Sequence, residues 1–417
     1  MIQEHLRLNP IPRIMRAPRQ SRRFTVVIPT RERCDTLEYS LRTLTEQPYP
    51  HLEIIVSDND SADATRDVVR ANGDPRIRYI NTGRRLSMSG NWEFALAHVT
   101  EGWVTFLGDD DGLVPNCFER VNEIVDRTGV RAIKSTYGQY VWPEFLPDSA
   151  GSLEVPLGKG FSVRSCQKAL ALVLRGRTSY TTLPMVYNGG FVDLEAVRAA
   201  MFSDRFFLSC IPDVFSAIAL SNTLDRYAYS YEPFSINGAS RHSIGASQFS
   251  IGSGSNSAVA KFQLESDIPF HPSIPLTQDG KYPPSLHALV YESCAQFKEV
   301  YPQTLTISPD EQLEAILHGA GNHREAIRSW AESFAKLHGI DFEKIAHRCL
   351  TGTKKVQFHD LEARFKALAS VRLENRDTEI KTILGATARA AAELRSRRYS
   401  ATAKSLNRLM HKFIRPQ

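Results

Sequence analysis

Three consecutive carboxylates, Asp109, Asp110 and Asp111, follow an apolar run and Gly108 in the stretch TFLGDDDGLVP (105–115). Carboxylates this close raise one another's pKa unless something positive sits among them. One such partner is a divalent cation. Mg2+ and Mn2+ take oxygen ligands, and their sites commonly combine one or two carboxylates with substrate phosphates. The plainer alternative is a solvated turn whose acids cap the next helix. Two other polar clusters also end apolar runs: Thr30-Arg31-Glu32-Arg33, and Ser57-Asp58-Asn59-Asp60.

The elements that must position these groups alternate. FTVVIPT (24–30) predicts a strand and DTLEYSLRTLTEQ a helix with Asp35 as N-cap. EIIVSD (53–58) and RIRYIN (76–81) predict further strands, each followed by a helical pattern, and WVTFLGDD predicts a fourth. Alternation of this length implies an α/β fold with a parallel sheet and helices on both faces. Ligands of such sheets lie beyond the carboxyl ends of the strands, so one crevice can collect all three polar clusters. No G-x-G-x-x-G follows the first strand and no G-x-x-x-x-G-K-[ST] occurs, which argues against dinucleotide and P-loop folds. Residues 134–235 read as mixed, with helices expected over Cys166–Arg175 and in IPDVFSAIALS. The aromatics Tyr137, Tyr140 and Trp142 read as core or lid. The Gly/Ser-rich 236–257 stretch reads as a mobile loop, 268–284 as a Pro-rich crossing, and 285–417 as almost wholly helical.

Composition narrows the class. The chain has 417 residues and a formal net charge of +5, enough length for two or three units and a mild bias toward acidic ligands. Six cysteines without a C-x-x-C pair read as buried reduced thiols. No run of 18 apolar residues predicts a membrane span, and the basic 1–22 tail lacks an apolar signal core, so a cytoplasmic location is expected. The C-terminus is basic from Lys381 onward. Its last stretch, SLNRLMHKFIRP, suits either an interfacial helix at the inner face of a membrane or a packed terminal helix.

The segments VVIPTRERCDTLEYSLRTL, EIIVSDNDSADAT and GNWEFALAHVTEGWVTFLGDDDGLVP, in this order and spacing, resemble family 2 glycosyltransferases of the GT-A fold, over residues 24–245 and most strongly before residue 120. The resemblance implies a nucleotide-binding mixed sheet flanked by helices, to which the residue pattern adds a mainly α-helical C-terminal region. The chain then divides into a basic tail (1–22), a GT-A domain (23–245), a flexible linker (246–284) and a helical region (285–417). By the same resemblance Pro29, Thr30, Arg31 and Arg33 lie beside the donor nucleotide, Asp58 bonds the base and Asp109 faces the ribose. Asp110 binds metal, with Asp111 as second ligand or structural acid. Gly108 stands where family members often carry the first acid of Leu-Asp-x-Asp-Asp, so a frame using Asp109 and Asp111 stays open. Asp213 in CIPDVFSAIALS matches the general base, against an N-cap as the alternative. His242 matches a metal-side residue of a closing segment, and Asn188 and Gly189 match acceptor-side positions, against a surface histidine and a plain turn.

The function so implied is a metal-dependent, inverting transfer of one sugar from a nucleotide diphosphate-sugar, UDP- or dTDP-linked by precedent. The acceptor is a hydroxyl of a saccharide or lipid-linked saccharide in bacterial surface-glycan assembly, with Mn2+ or Mg2+ as cofactor and no nucleic acid partner. A homodimer through the helical region is one further expectation. The absence of Gln-x-x-Arg-Trp speaks against a processive synthase. A sugar-nucleotide nucleotidyltransferase is the alternative, disfavoured because PTRERCDTLEYS has no glycine. A non-catalytic nucleotide-sugar-binding protein is the other.

Overall fold

The computed structural model describes residues 21–242, 262–283, 285–320, 324–351, 370–374 and 380–396. Most of the basic tail, the Gly/Ser stretch from 243 to 261 and the terminal SLNRLMHKFIRP segment lie outside the described residues.

Strands β1 (Phe24–Thr30), β2 (Leu52–Asp58), β3 (Ile77–Asn81) and β4 (Trp103–Phe106) are parallel, in the order β4-β1-β2-β3. They alternate with α1 (Cys34–Thr45), α2 (Thr65–Asn72) and α3 (Met88–Leu96), as the apolar periodicity predicts. The two central strands are buried on both faces. Val27 and Ile55 join Trp92, Leu96, Val104 and Phe106 in one core, while Val26, Ile28, Ile54 and Val56 join Leu37, Leu41 and Leu44 of α1 in another. Side chains alternate across a strand, so covering both faces demands the continuous apolar runs that the sequence shows.

Beyond β4 antiparallel strands join the parallel ones, and the sheet is mixed, as the resemblance implied. A two-residue strand β5 (Gly112–Leu113) and helix α4 (Cys117–Thr128) precede β6 (Ala132–Val141), β7 (Leu153–Pro156), β8 (Phe161–Ser165) and α5 (Cys166–Leu174). Then β9 (Gly190–Asp193) inserts between β4 and β6, antiparallel to both. It has four residues, three of them buried, so neither its existence nor its direction shows as a period in the sequence. After α6 (Leu194–Ala199) and α7 (Pro212–Thr223), β10 (Arg226–Ala239) runs parallel to β6 and antiparallel to β5 and β8. Ile236–Ala239, read from sequence as the start of a mobile loop, is therefore strand. Gly238 is required there, because a Cβ would overlap the Asp110 carbonyl oxygen.

The C-terminal region holds α8 (Leu286–Val300), α9 (Pro309–His318), α10 (Arg324–His338) and α11 (Phe342–Thr351). It also holds a strand, β11 (Ser370–Leu373), antiparallel to β7, and then α12 (Ile383–Arg395). In this region, expected to be almost wholly helical, β11 adds four residues of strand at a sheet edge. Nor are these helices independent of the sheet. Leu313, Ile316, Trp330 and Phe334 share the Val27 core, and α12 packs Ile383 and Ala386 beside Tyr140, Trp142 and Leu153. Residues 262–283, expected to be flexible linker, pack Phe262 and Tyr282 against Cys210, with Phe270 stacked on Tyr282. Tyr140 and Trp142 are core residues. All six cysteines are free thiols. Cys117, Cys166, Cys210 and Cys294 are buried, whereas Cys34 and Cys349 are only partly so. No helix among the described residues is long and apolar enough to cross a membrane.

Candidate active site

The register of β1 on β2 sets Pro29 opposite Ser57 and Thr30 opposite Asp58, so the first two polar clusters share one rim of the sheet. Asp58 is buried. Its Oδ1 accepts from the Ser61 amide at 3.0 Å, and its Oδ2 from the Tyr79 hydroxyl at 2.5 Å and Asn81 Nδ2 at 3.2 Å. Thr30 Oγ1 is buried without a hydrogen-bond partner among the described residues. The two arginines of the first cluster separate. Arg31 pairs with Glu265 at 2.5 Å. Arg33 donates from Nη1 to Asp109 Oδ1 at 2.8 Å and from Nη2 to the His242 carbonyl oxygen at 2.6 Å. The positive group among the three carboxylates in this structure is thus a guanidinium. Burial works against its charge, and Asp109 and Asp110 outweigh that, so its proton is held more firmly than usual.

All three aspartates are buried, and they differ in what they bond. Asp110 Oδ2 accepts from Ser240 Oγ at 2.6 Å, and its carbonyl accepts from Trp142 Nε1 at 3.1 Å. Asp111 is engaged at both oxygens. Oδ1 accepts from the Gly238 amide at 2.7 Å and Asn237 Nδ2 at 3.1 Å, and Oδ2 from the Tyr187 hydroxyl at 2.8 Å and the Gly108 amide at 3.2 Å. Burial and the neighbouring Asp110 charge push the Asp111 carboxyl up to about 7 despite those donors. Its bonds join the β4–β5 turn to β10 and to the loop before β9. Among the described residues no group of three His, Cys, Asp or Glu side chains comes together to hold an ion.

Asp213 lies in the first turn of α7 and is not its N-cap. Ile211 holds that position without a side-chain bond. The carboxylate instead accepts from the Tyr180 hydroxyl at 2.9 Å on Oδ2. Burial raises its pKa, while Tyr180 and the amides of the first turn oppose the rise. Tyr187 bonds Asp111, and burial first, then the charges of Asp111, Asp110 and Asp213, keep its phenol protonated. No sequence pattern marked Tyr180, Tyr187 or Ser240. Each lies far along the chain from the acid it bonds, and only the fold brings them together.

The remaining candidates are placed as follows. Asp35, expected as an N-cap, is not one. The α1 N-cap is Arg33, and Asp35 Oδ2 pairs with Arg241 at 2.9 Å and with His242 Nε2 at 3.2 Å. The His242 ring thus bonds Asp35 and Arg241 rather than the aspartate cluster, and only its backbone carbonyl reaches Arg33. Asn188 and Gly189 form a left-handed turn, with φ of 55° and 80°. A Cβ at Gly189 would overlap Ser135 Oγ. Asn188 Oδ1 is buried without a hydrogen-bond partner among the described residues, and its carbonyl accepts from Lys134, a fully buried lysine of β6.

Comparison with known proteins follows the same segments. Residues 25–151 match the model of glycosyl transferase family 2, so the chain carries a domain of that family. A GalNAc(5)-diNAcBac-PP-undecaprenol beta-1,3-glucosyltransferase of Campylobacter jejuni is 34% identical over 108 residues, 24% of this chain and 35% of the relative. A UDP-Glc:alpha-D-GlcNAc-diphosphoundecaprenol beta-1,3-glucosyltransferase of Escherichia coli, WfaP, is 24% identical over 153 residues, 37% of this chain and 60% of the relative. In both cases the match spans less than two thirds of the relative's length. Among solved structures, S. aureus TarS 1-349 in complex with UDP-GlcNAc aligns with 80% of this chain and 93% of that chain, at 11% identity and a TM-score of 0.47.

Proposed function

We propose that this chain, with its family 2 glycosyltransferase domain, moves a single sugar from a UDP-sugar to a hydroxyl of a lipid-diphosphate-linked saccharide, inverting the anomeric centre. UDP-glucose is the donor to test first, because WfaP is named for it. The observation that carries the reading is the rim of buried acids at the carboxyl ends of the parallel strands, where Asp58 lies opposite Thr30, Asp109 pairs with Arg33 and Asp110 is bonded by Ser240.

In this reading Asp58 and Thr30 receive the nucleotide, and Arg33 faces its diphosphate. Asp109 and Asp110 are adjacent oxygen donors that fit a divalent ion completed by substrate phosphate oxygens. Asp111 does not fit as a ligand, because four donors already occupy its two oxygens. With Mn2+ or Mg2+ bound there, charge on the leaving diphosphate is neutralised. Asp213 accepts the proton of the acceptor hydroxyl as that oxygen bonds to the anomeric carbon. The bond from that carbon to the diphosphate breaks, and UDP departs with the electron pair. Displacement from the opposite face inverts the centre. A base whose pKa is raised by burial works closer to neutral pH.

The test combines UDP-glucose binding by calorimetry, with Mn2+ or with EDTA, and transfer to a synthetic GlcNAc-diphospholipid. Asp213→Asn is expected to retain UDP-glucose binding and to lose at least about a hundredfold in transfer rate, the lower end of general-base contributions. Asp110→Ala is expected to lose metal-dependent binding as well. Transfer by Asp213→Asn at the wild-type rate would refute the assignment of the base.

A further inference from the structure

The acid proposed as base is held from outside its own helix. Tyr180 opens a short turn of 3-10 helix (Tyr180–Thr182) that packs beside α7, and its hydroxyl donates to Asp213 Oδ2. That turn is fixed at several points. Ser179 Oγ accepts from the Thr181 amide at 3.3 Å, and Thr182 Oγ1 donates to the Ser179 carbonyl at 2.7 Å. The Thr182 carbonyl accepts from the hydroxyl of Tyr227, a fully buried residue of β10, at 2.7 Å. Leu183, next in sequence, is fully buried in the core that also receives α7. The Tyr180 ring packs on that core, so its hydroxyl is carried by a platform with little freedom. On the other side, α7 begins at Pro212 and has Ser216 Oγ bonded to the Asp213 carbonyl at 2.8 Å, which fixes the backbone bearing the acid.

We propose that Tyr180 is the positioning residue of the base. It holds Asp213 Oδ2, so that Oδ1 meets the acceptor hydroxyl, and it keeps the carboxylate charged between turnovers. This rests on the glycosyl-transfer reading of Asp213. Proton acceptance needs one oxygen aimed along the incoming O–H, and a carboxylate tied at its other oxygen loses the rotation that would spoil that aim. The phenol can only donate here, because burial and the Asp213 charge keep its proton on. The groups that act on Asp213 are Tyr180 and the first-turn amides, all of which favour its charged form, set against burial, which disfavours it. Among the described residues Tyr187 also feels the Asp213 charge, and Tyr137 faces the Tyr180 phenol.

Tyr180→Phe removes the hydroxyl and keeps the ring packing. Without the donor the carboxylate is less favoured, so Asp213 stays protonated to higher pH and the acid limb of kcat moves up. The expected result with UDP-glucose and the GlcNAc-diphospholipid is an unchanged Kd for UDP-glucose, a kcat at the plateau lower by about tenfold, and that upward displacement of the acid limb. The tenfold corresponds to losing one hydrogen bond to a charged group. Asp213 is also followed by carboxyl 13C NMR of aspartate-labelled protein, with its signal identified by its absence in Asp213→Asn. Its titration should move up in Tyr180→Phe whether or not substrate is present. A fall in kcat with an unmoved acid limb, or an unmoved Asp213 titration, would overturn the proposal and leave a merely structural bond. Absence of transfer by the wild type, with the Asp213 titration still responding to Tyr180→Phe, would instead overturn the glycosyl-transfer reading and the catalytic role of Tyr180 with it.

Discussion

Asp111→Asn tests the division of labour among the three aspartates. Burial and the Asp110 charge push the folded-state Asp111 carboxyl up to about 7, against 3.8 when unperturbed. Below about pH 4 both folded and unfolded chains carry the proton. Between about 4 and 7 the unfolded carboxylate ionises while the folded one does not, so the unfolded state binds fewer protons and stability falls as pH rises. Above 7 the deficit is complete. Three units correspond to roughly 4 kcal/mol, an upper figure for a buried group beside another acid. Asparagine has no such titration. It sets an amide against one pair of the four donors, and the milder arrangement opposes the Gly108 amide, since the Tyr187 hydroxyl can turn to accept. That costs about 1–3 kcal/mol at any pH. Asp111→Asn is therefore expected to melt below the wild type at pH 5 and to close or reverse the gap by pH 8.5, measured by differential scanning fluorimetry in EDTA. A gap of constant size across that range would refute the reasoning, because it would mean Asp111 is ionised in the folded protein throughout.

Two further perturbations follow from the same geometry. Arg33→Met leaves the buried Asp109 carboxylate without its guanidinium and should lower stability by about 2–4 kcal/mol, somewhat below the figure for a fully buried pair because the arginine is partly exposed. Mn2+ should recover part of that loss, read as a larger metal-induced rise in melting temperature than in the wild type. Gly238→Ala drives a methyl into the Asp110 carbonyl and Trp142 Nε1, so urea denaturation should show a loss of about 2 kcal/mol or more together with loss of nucleotide binding.

Much of the rim was legible because it is local. The run Phe24–Thr30 must be a doubly buried strand, the Leu37, Leu41 and Leu44 spacing must be a helix covering it, and polar residues at a strand end must face a crevice. Those constraints place Thr30, Asp58 and Asp109 to Asp111 together without any knowledge of the rest of the chain. The Asp213 position was legible as the start of a helix, though its role came from resemblance alone. The sequence by itself determined the alternating α/β class, the helices that follow the first three strands and which strand ends carry acids, since each follows from side-chain period and from polarity within a dozen residues.

Only the tertiary structure decided what those acids meet. β9 lies between β4 and β6, and β10 returns along β6, so Gly238 and Ser240 come under Asp110 and Asp111 from well over a hundred residues away. Tyr187 reaches Asp111 from the loop before β9, and Tyr180 reaches Asp213 from the neighbouring turn. Asp111, expected as a second metal ligand or a structural acid, meets four hydrogen-bond donors, and Arg33 pairs with Asp109. Pairings of this kind depend on which strands become neighbours. That is settled by the burial of the whole sheet, and a window of residues around each acid does not contain it.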